Sequence, residues 1–157
     1  MKQLLIQTVD RLLSTVLVLC MAGLVLNILW QVASRFLLND PSSFTEEIAR
    51  FLLIWIGLLG GCYAYRQNSH LGLDLVTEAM SPGTRRTTQI IVKVVTILFA
   101  TLVLGYGGGQ LVWLTLELHQ TSAAMGIPMG YVYSVLPISG ALIVFYSLIE
   151  QKNPDSP

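Results

Sequence analysis

The sequence predicts an all-α integral membrane protein with four transmembrane helices and a short interfacial amphipathic helix between the second and third. Of the 157 residues, 54% are hydrophobic and only 11% are charged, whereas a soluble domain carries about 25% charged residues. Four apolar stretches also approach or exceed the roughly 20 residues that a helix needs to cross a bilayer. The formal net charge is zero, which argues against a nucleic-acid-binding protein. We therefore expect a single membrane domain covering the whole chain.

The first span is predicted at residues 12–37. Residues 12–34 contain no charged side chain, and this stretch is longer than the apolar region of a signal peptide, which has about 7–15 residues. The sequence therefore favours a retained transmembrane helix. The two cysteines, Cys20 and Cys62, lie inside apolar stretches without the spacing of a metal or redox motif, so we expect free thiols.

The second span is predicted at residues 44–66. Residues 51–65 alone would be short for a span, but a helix that begins at Phe44 is about 34 Å long. Its first turns then carry Glu46, Glu47 and Arg50, which we call the charged entrance. The spacing allows either acid to pair with Arg50. The charged entrance is thereby predicted to lie at the membrane edge.

The third and fourth spans are predicted at residues 84–118 and 130–150. Ser81 and Pro82 are typical of a helix start, with serine as N-cap and proline in the first helical position. Several glycines near residues 105–109 are expected to loosen the third helix. Residues 69–80 are too polar to span a membrane and too apolar for a free loop. They are predicted to form the amphipathic segment in the interface.

The distribution of basic residues predicts the topology. Four spans place both termini and the middle loop on one side of the membrane. That side holds seven of the nine basic residues, while Arg35 and Arg50 lie on the other. By the positive-inside rule, both termini are predicted to be cytoplasmic.

The charged entrance has several possible roles. Glu46 and Glu47 occupy adjacent helix positions, which diverge by about 100°, so a catalytic carboxylate pair is not expected. The alternatives are an ordinary charged helix start or a docking surface for an extramembrane partner. Arg35 and Arg50 either reach the lipid headgroups or pair with these acids to tie the first two helices together.

Two further patterns suggest rival functions. Arg66, His70 and Asp74 could form an interfacial site in a small membrane enzyme, although His70 and Asp74 alone are too few ligands for a metal. Two pairs of glycines, Gly57 with Gly61 and Gly105 with Gly109, fit the small-xxx-small pattern that lets transmembrane helices approach closely. In a third interpretation these glycines are the self-association face of a homo-oligomeric channel or transporter.

The centre of every predicted span lacks Asp, Glu, Lys and Arg. Transport pathways and coupling-ion sites usually place ionisable groups there. Asn27, Gln31 and Gln110 are the main polar residues within the spans, and single amides are equally typical of contacts between helices. No phosphate-binding loop or nucleophile motif is present in the sequence. The pattern favours an auxiliary subunit without a cofactor.

One stretch of the chain resembles a known family. Residues 35–74 are similar to the small membrane subunit of tripartite ATP-independent periplasmic (TRAP) transporters, the DctQ-like family, at Arg35-Phe36, Pro41, Glu46-Glu47, Ala49-Arg50, Leu52, Trp55, Gly57, Leu59-Gly60, Ala64, Arg66, His70 and Asp74. A weaker match covers residues 121–140, at Ile127-Pro128-Met129, Tyr131 and Leu136-Pro137.

The resemblance implies a multi-pass protein of the bacterial inner membrane that is not an enzyme. Such subunits assemble with a large membrane subunit that carries the substrate and sodium, and a periplasmic substrate-binding protein delivers an organic acid. Besides membrane lipids, these two proteins are the expected partners. The small subunit would brace the static scaffold of an elevator-type transporter. The residues expected to serve assembly or docking are Arg35, Glu46, Glu47, Arg50, Trp55, Gly57, Gly61, Arg66, His70 and Asp74.

Overall fold

The first two spans are long continuous helices. The structure, a computed structural model, describes residues 2–37, 43–67 and 82–149. Helix α1 runs over Lys2–Leu37 and helix α2 over Ser43–Arg66. Helix α1 therefore begins well before the apolar stretch predicted at residue 12, because the polar residues near its start are compatible with a helix that extends beyond the hydrocarbon core. Helix α2 includes the charged entrance in its first turns, as predicted.

The third span changes its helical type near its middle. Helix α3 (Pro82–Phe99) is followed without a break by a π-helix, π1 (Ala100–Gly107), and then by helix α4 (Gly108–Glu117). A π-helix has a wider turn than an α-helix and usually marks a local insertion in the helix. It lies in the glycine-containing segment that the sequence predicted to be loosened.

The fourth span is broken into two helices. Helix α5 (Met129–Tyr133) is followed by helix α6 (Val135–Ile149). Pro137 has no N–H group to donate to the carbonyl of Tyr133, four residues earlier, which interrupts the hydrogen-bond ladder between the two helices. The described residues thus contain four helical segments long and apolar enough to cross a membrane: Gln3–Leu37, Ser43–Arg66, Thr87–Glu117 and Met129–Ile149. The predicted all-α membrane fold is confirmed.

The spans do not pack in the order of the sequence. Helix α1 packs on α2, α2 packs on α6, and α6 packs on π1. The main core cluster lies where α1, α2 and α6 meet and consists of Leu13, Leu59, Cys62, Val135 and Tyr146. The fourth span therefore separates the second from the third.

Helix α6 and π1 approach each other closely at Gly140. A Cβ atom on this glycine would lie 2.7 Å from the carbonyl oxygen of Ala100 and 2.9 Å from the nitrogen of Gly105. Both neighbours are backbone atoms, so neither can move aside as a side chain could. The absence of a side chain at Gly140 is what lets the two backbones touch.

The amphipathic segment predicted at residues 69–80, with His70 and Asp74, lies outside the described residues. The opposite connection, residues 118–128, is described and compact. An isolated bridge pairs Thr121 with Pro128, and the Ser122 N–H donates to the Ile127 carbonyl at 2.9 Å. Gly126 has a φ of 66°, a left-handed conformation that glycine adopts without steric cost. We refer to residues 118–128 as the end loop.

Candidate functional site

Glu47 connects the second span to the end loop. One carboxylate oxygen accepts the N–H of Ala124 at 2.9 Å, and the other accepts the N–H of Met125 at 3.2 Å. Hydrogen bonds to an ionised acceptor are roughly twice as strong as neutral ones. More than 75 positions separate Glu47 from these two residues. Glu47 therefore holds a loop whose contact with it cannot be predicted from the residues near Glu47 in the sequence.

Glu46 has a different partner. Its carboxylate forms an ion pair with Arg50 at 2.9 Å, and both side chains are about two-thirds exposed, at 69% and 65%. The two adjacent acids thus bind different partners, and of the two possible pairings with Arg50 the structure forms the one four residues apart. A shallow cleft of about 350 Å³ lies between this ion pair and the end loop, lined by Ser43, Glu46, Glu47, Arg50, Ala123 and Ala124.

The first two helices are joined at this end by an amide rather than by an ion pair. The Asn27 side chain donates to the carbonyl of Thr45 at 2.7 Å, and Thr45 is fully buried. Within residues 2–37 and 43–67, no ion pair connects Arg35 to either acid of the charged entrance. Of the roles considered for Asn27, contact between helices is the one observed.

Trp55 anchors the second span to the fourth. Its indole N–H donates to the carbonyl of Val132 at 3.1 Å. Val132 lies in helix α5, one residue before Tyr133, whose carbonyl loses its helical donor to Pro137. Trp55, one of the residues predicted to serve assembly, therefore contacts the fourth span of its own chain.

Gly57 and Gly61 present an open surface. A Cβ atom added at either position would meet nothing within 4 Å, and both residues are exposed. Their pattern therefore does not mediate packing between the described helices of this chain. The face remains available to another molecule in the membrane.

A polar cluster that sequence reasoning missed lies at the opposite end of the second span. Arg66 donates from Nε to Asp10 at 3.3 Å, and the Tyr146 hydroxyl donates to the other oxygen of Asp10 at 2.8 Å. The Arg66 guanidinium also lies 5.9 Å from the centre of the Tyr146 ring. We call Asp10, Arg66 and Tyr146 the edge cluster. The available signal was Asp10 itself, an acid beside the first span on the same predicted membrane side as Arg66.

Two further hydrogen bonds join the second and fourth spans. The hydroxyls of Tyr65 and Ser147 are 2.6 Å apart, and the Cys62 thiol donates to the Ser139 carbonyl at 3.5 Å. Together with the edge cluster, these contacts bind α1, α2 and α6 into one unit. Polar groups near both ends of the second span thus hold helices together. Between Arg50 and Arg66 the span carries no Asp, Glu, Lys or Arg side chain.

The sequence matches a transporter family over most of its length. The match to the family "Tripartite ATP-independent periplasmic transporters, DctQ component" covers residues 24–152. The chain belongs to the DctQ family. The resemblance seen in residues 35–74 is thereby confirmed.

Individual DctQ relatives support the same assignment. The chain is 28% identical to the sialic acid TRAP transporter small permease protein SiaQ of Vibrio cholerae, over 82% of this chain and 72% of that protein. It is 30% identical to the ectoine TRAP transporter small permease protein TeaB of Halomonas elongata, over 83% and 69%. A third relative, the isethionate TRAP transporter permease protein DctMQ of Oleidesulfovibrio alaskensis, is 33% identical over 64% of this chain but only 16% of its own length.

Membership of the DctQ family rules out the interpretation of this chain as a small membrane enzyme. DctQ proteins are multi-pass components of inner-membrane transporters and not enzymes. The interpretation of Arg66, His70 and Asp74 as an enzyme site is therefore wrong. In the described part of that trio, Arg66 instead pairs with Asp10 and holds α1 and α2 together.

Proposed function

We propose that this chain is the non-catalytic scaffold subunit of a sodium-coupled transporter that imports an organic acid. In this proposal it assembles with a large permease subunit, and a periplasmic substrate-binding protein delivers the substrate. The names of the relatives include sialic acid, ectoine and isethionate as transported compounds. These are small polar molecules that each carry an acid group, a carboxylate in sialic acid and ectoine and a sulfonate in isethionate.

The observation that carries the proposal is where the charges lie. Glu46, Glu47 and Arg50 lie at one end of the second span, while Asp10 and Arg66 lie at the other, and each has a partner in the chain. A pathway for an anion and sodium needs polar or ionisable groups near the bilayer midplane. None of these charged groups lies where it could line a pathway at the midplane, so in this proposal the substrate passes through the large subunit.

The DctMQ relative, which is much longer than the region it shares with this chain, supports a large permease as the partner. In DctMQ the region similar to this chain is a small part of one polypeptide. A covalent fusion of this kind is expected when two subunits function side by side. The open face at Gly57 and Gly61 is a candidate contact for such a partner, because glycines let two helices approach closely.

The cleft beside the end loop supports a docking role on the predicted periplasmic side. It presents the exposed pair Glu46–Arg50 next to a loop that Glu47 holds in place. An exposed ion pair adds little to stability, so its charges remain available to a soluble partner. Arg35, at the same end of the first span, would extend this surface.

Reconstitution into proteoliposomes tests the proposed function. The chain alone, the large permease alone and the two together are compared in the presence of the binding protein and an inward sodium gradient. We expect uptake only from the pair, and its loss when the sodium gradient is removed. Flux through this chain alone would favour the homo-oligomeric channel instead. Failure of the two subunits to co-purify would contradict the scaffold role.

A further inference from the structure

A pair of polar side chains faces outward from the third span. The side-chain amide of Gln110 donates to the Tyr106 hydroxyl at 2.7 Å. Tyr106 is 66% exposed, and Gln110 is also exposed. Within the described ranges, the Gln110 carbonyl oxygen and the Tyr106 hydroxyl hydrogen take part in no other hydrogen bond. The pair therefore satisfies only part of its own hydrogen-bonding capacity.

This pair lies within the hydrocarbon depth of the membrane. Residues 94–116 carry no charged side chain, and Glu117 marks the end of the span. At 1.5 Å per residue, Tyr106 is about 16 Å and Gln110 about 10 Å from Glu117 along the helix. Tyrosine is normally enriched at the membrane surface, where its hydroxyl meets water. Hydrocarbon offers no hydrogen-bond partner, so lipid contact at this depth leaves these groups unsatisfied at a cost.

The first span shows what a lipid-compatible surface looks like in the same chain. Its central exposed side chains are apolar, among them Val18, Leu19 and Val25. The hydroxyls near them, those of Ser14 and Thr15, both donate to the carbonyl of Arg11 in their own helix, at 3.0 and 2.7 Å. The Tyr106–Gln110 pair departs from this pattern.

A groove continues from Tyr106 across the third and fourth spans. It has a volume of about 570 Å³ and is mostly apolar, and its lining includes Ala100, Gly105, Tyr106, Gly140 and Ala141. We call it the outer groove. Small residues form its floor where α6 and π1 touch, so a helix laid along it can approach closely.

We propose that the outer groove and the Tyr106–Gln110 pair form the face on which a transmembrane helix of the large permease docks. This inference rests on the proposed function, which supplies the large subunit as the partner. The partner helix carries at least one hydrogen-bonding side chain, such as serine, threonine, asparagine or glutamine, at the depth of Gln110. A lipid acyl chain could fill the groove but could not satisfy the amide. The long DctMQ relative favours the permease over a second copy of this chain.

The test measures the dissociation constant of the chain and the large permease, each labelled for fluorescence energy transfer, in lipid nanodiscs. Gln110→Leu removes the amide, and we expect about three- to twenty-fold weaker binding. Ala141→Leu fills the groove, and we expect a loss of about five-fold or more. Ala22→Leu is the matched control, because Ala22 is an exposed alanine on the first span, and it should bind as the wild type does.

Photo-crosslinking from position 106 identifies the occupant directly. A benzophenone amino acid in place of Tyr106 should capture the large permease. Capture of lipid only, or of a second copy of this chain, would overturn the inference, as would wild-type affinity of both groove variants or an equal loss in Ala22→Leu. If the wild-type chain itself fails to bind the permease, the proposed function fails. If it binds and the groove variants are unaffected, only the docking face is wrong.

Discussion

The hydroxyl of Tyr146 donates a hydrogen bond to the carboxylate of Asp10 at 2.8 Å, although 136 positions separate the two residues. Tyr146 is almost completely buried, at 1% exposure. Because Asp10 also pairs with Arg66, one carboxylate connects the first, second and fourth spans at a single membrane edge. The third span is outside this cluster and joins the rest mainly through α6.

Replacing Asp10 should loosen this edge. In Asp10→Leu, Arg66 and Tyr146 lose a shared acceptor while both remain partly or fully buried. We expect the free energy of unfolding in detergent to fall by about 1–2 kcal/mol. Arg11→Gln, at the exposed neighbouring position, should leave it unchanged. Equal stability of Asp10→Leu and wild type would show that the edge cluster does not hold the helices together.

The two acids of the charged entrance should respond differently to neutralisation. Glu47→Gln replaces a charged acceptor of two backbone N–H groups by a neutral amide with one acceptor oxygen. We expect hydrogen exchange at Ala124 and Met125 to become about five- to thirty-fold faster, because the neutral amide accepts these hydrogen bonds more weakly. Glu46→Gln, which removes only the exposed pair with Arg50, should leave these amides protected. Unchanged exchange in Glu47→Gln would contradict its role in holding the end loop.

Trp55 should contribute through its indole nitrogen as well as through its ring. Trp55→Phe keeps an aromatic side chain but leaves the Val132 carbonyl without this donor. We expect a loss of about 0.5–1.5 kcal/mol in the free energy of unfolding. Trp30→Phe is the matched control, because Trp30 is 53% exposed on the first span. If the two variants lose the same stability, the hydrogen bond from Trp55 contributes nothing of its own.

Gly140→Ala should separate the third and fourth spans. The added methyl would meet two backbone atoms at less than 3 Å, and overpacking of this kind costs about 1–3 kcal/mol. The thermal midpoint of the purified protein should fall accordingly. Gly60→Ala provides the comparison, since a Cβ atom there meets nothing within 4 Å, and it should be neutral or slightly stabilising because alanine favours helices. A tolerated Gly140→Ala would mean that α6 and π1 pack less tightly.

The predicted topology is open to labelling in intact cells. The excess of basic residues on the side of the termini predicts a cytoplasmic N-terminus and an end loop in the periplasm. A membrane-impermeant maleimide should therefore label Thr121→Cys and not Gln3→Cys until the membrane is permeabilised. Both positions are exposed. The reverse labelling pattern would show that the topology is inverted and that the charged entrance lies on the cytoplasmic side.

The charged entrance shows how far sequence spacing reaches. The spacing of four between Glu46 and Arg50 was sufficient to identify their ion pair as one of two possibilities, because helix geometry brings such positions together. The partner of Glu47 could not be predicted in the same way. It lies in the end loop, and the order in which the spans pack is what brings that loop over the start of the second helix.

By itself the sequence determined the number and type of spans, the position of the charges near membrane edges and the family. These properties follow from hydropathy, helix periodicity and local motifs, which act within a few turns of one segment. Only the tertiary structure decided that Asp10 connects three helices, that Glu47 holds the end loop, and that Gln110 faces outward. Each depends on which helices become neighbours and how they are rotated, and that is set by packing between residues far apart in the chain.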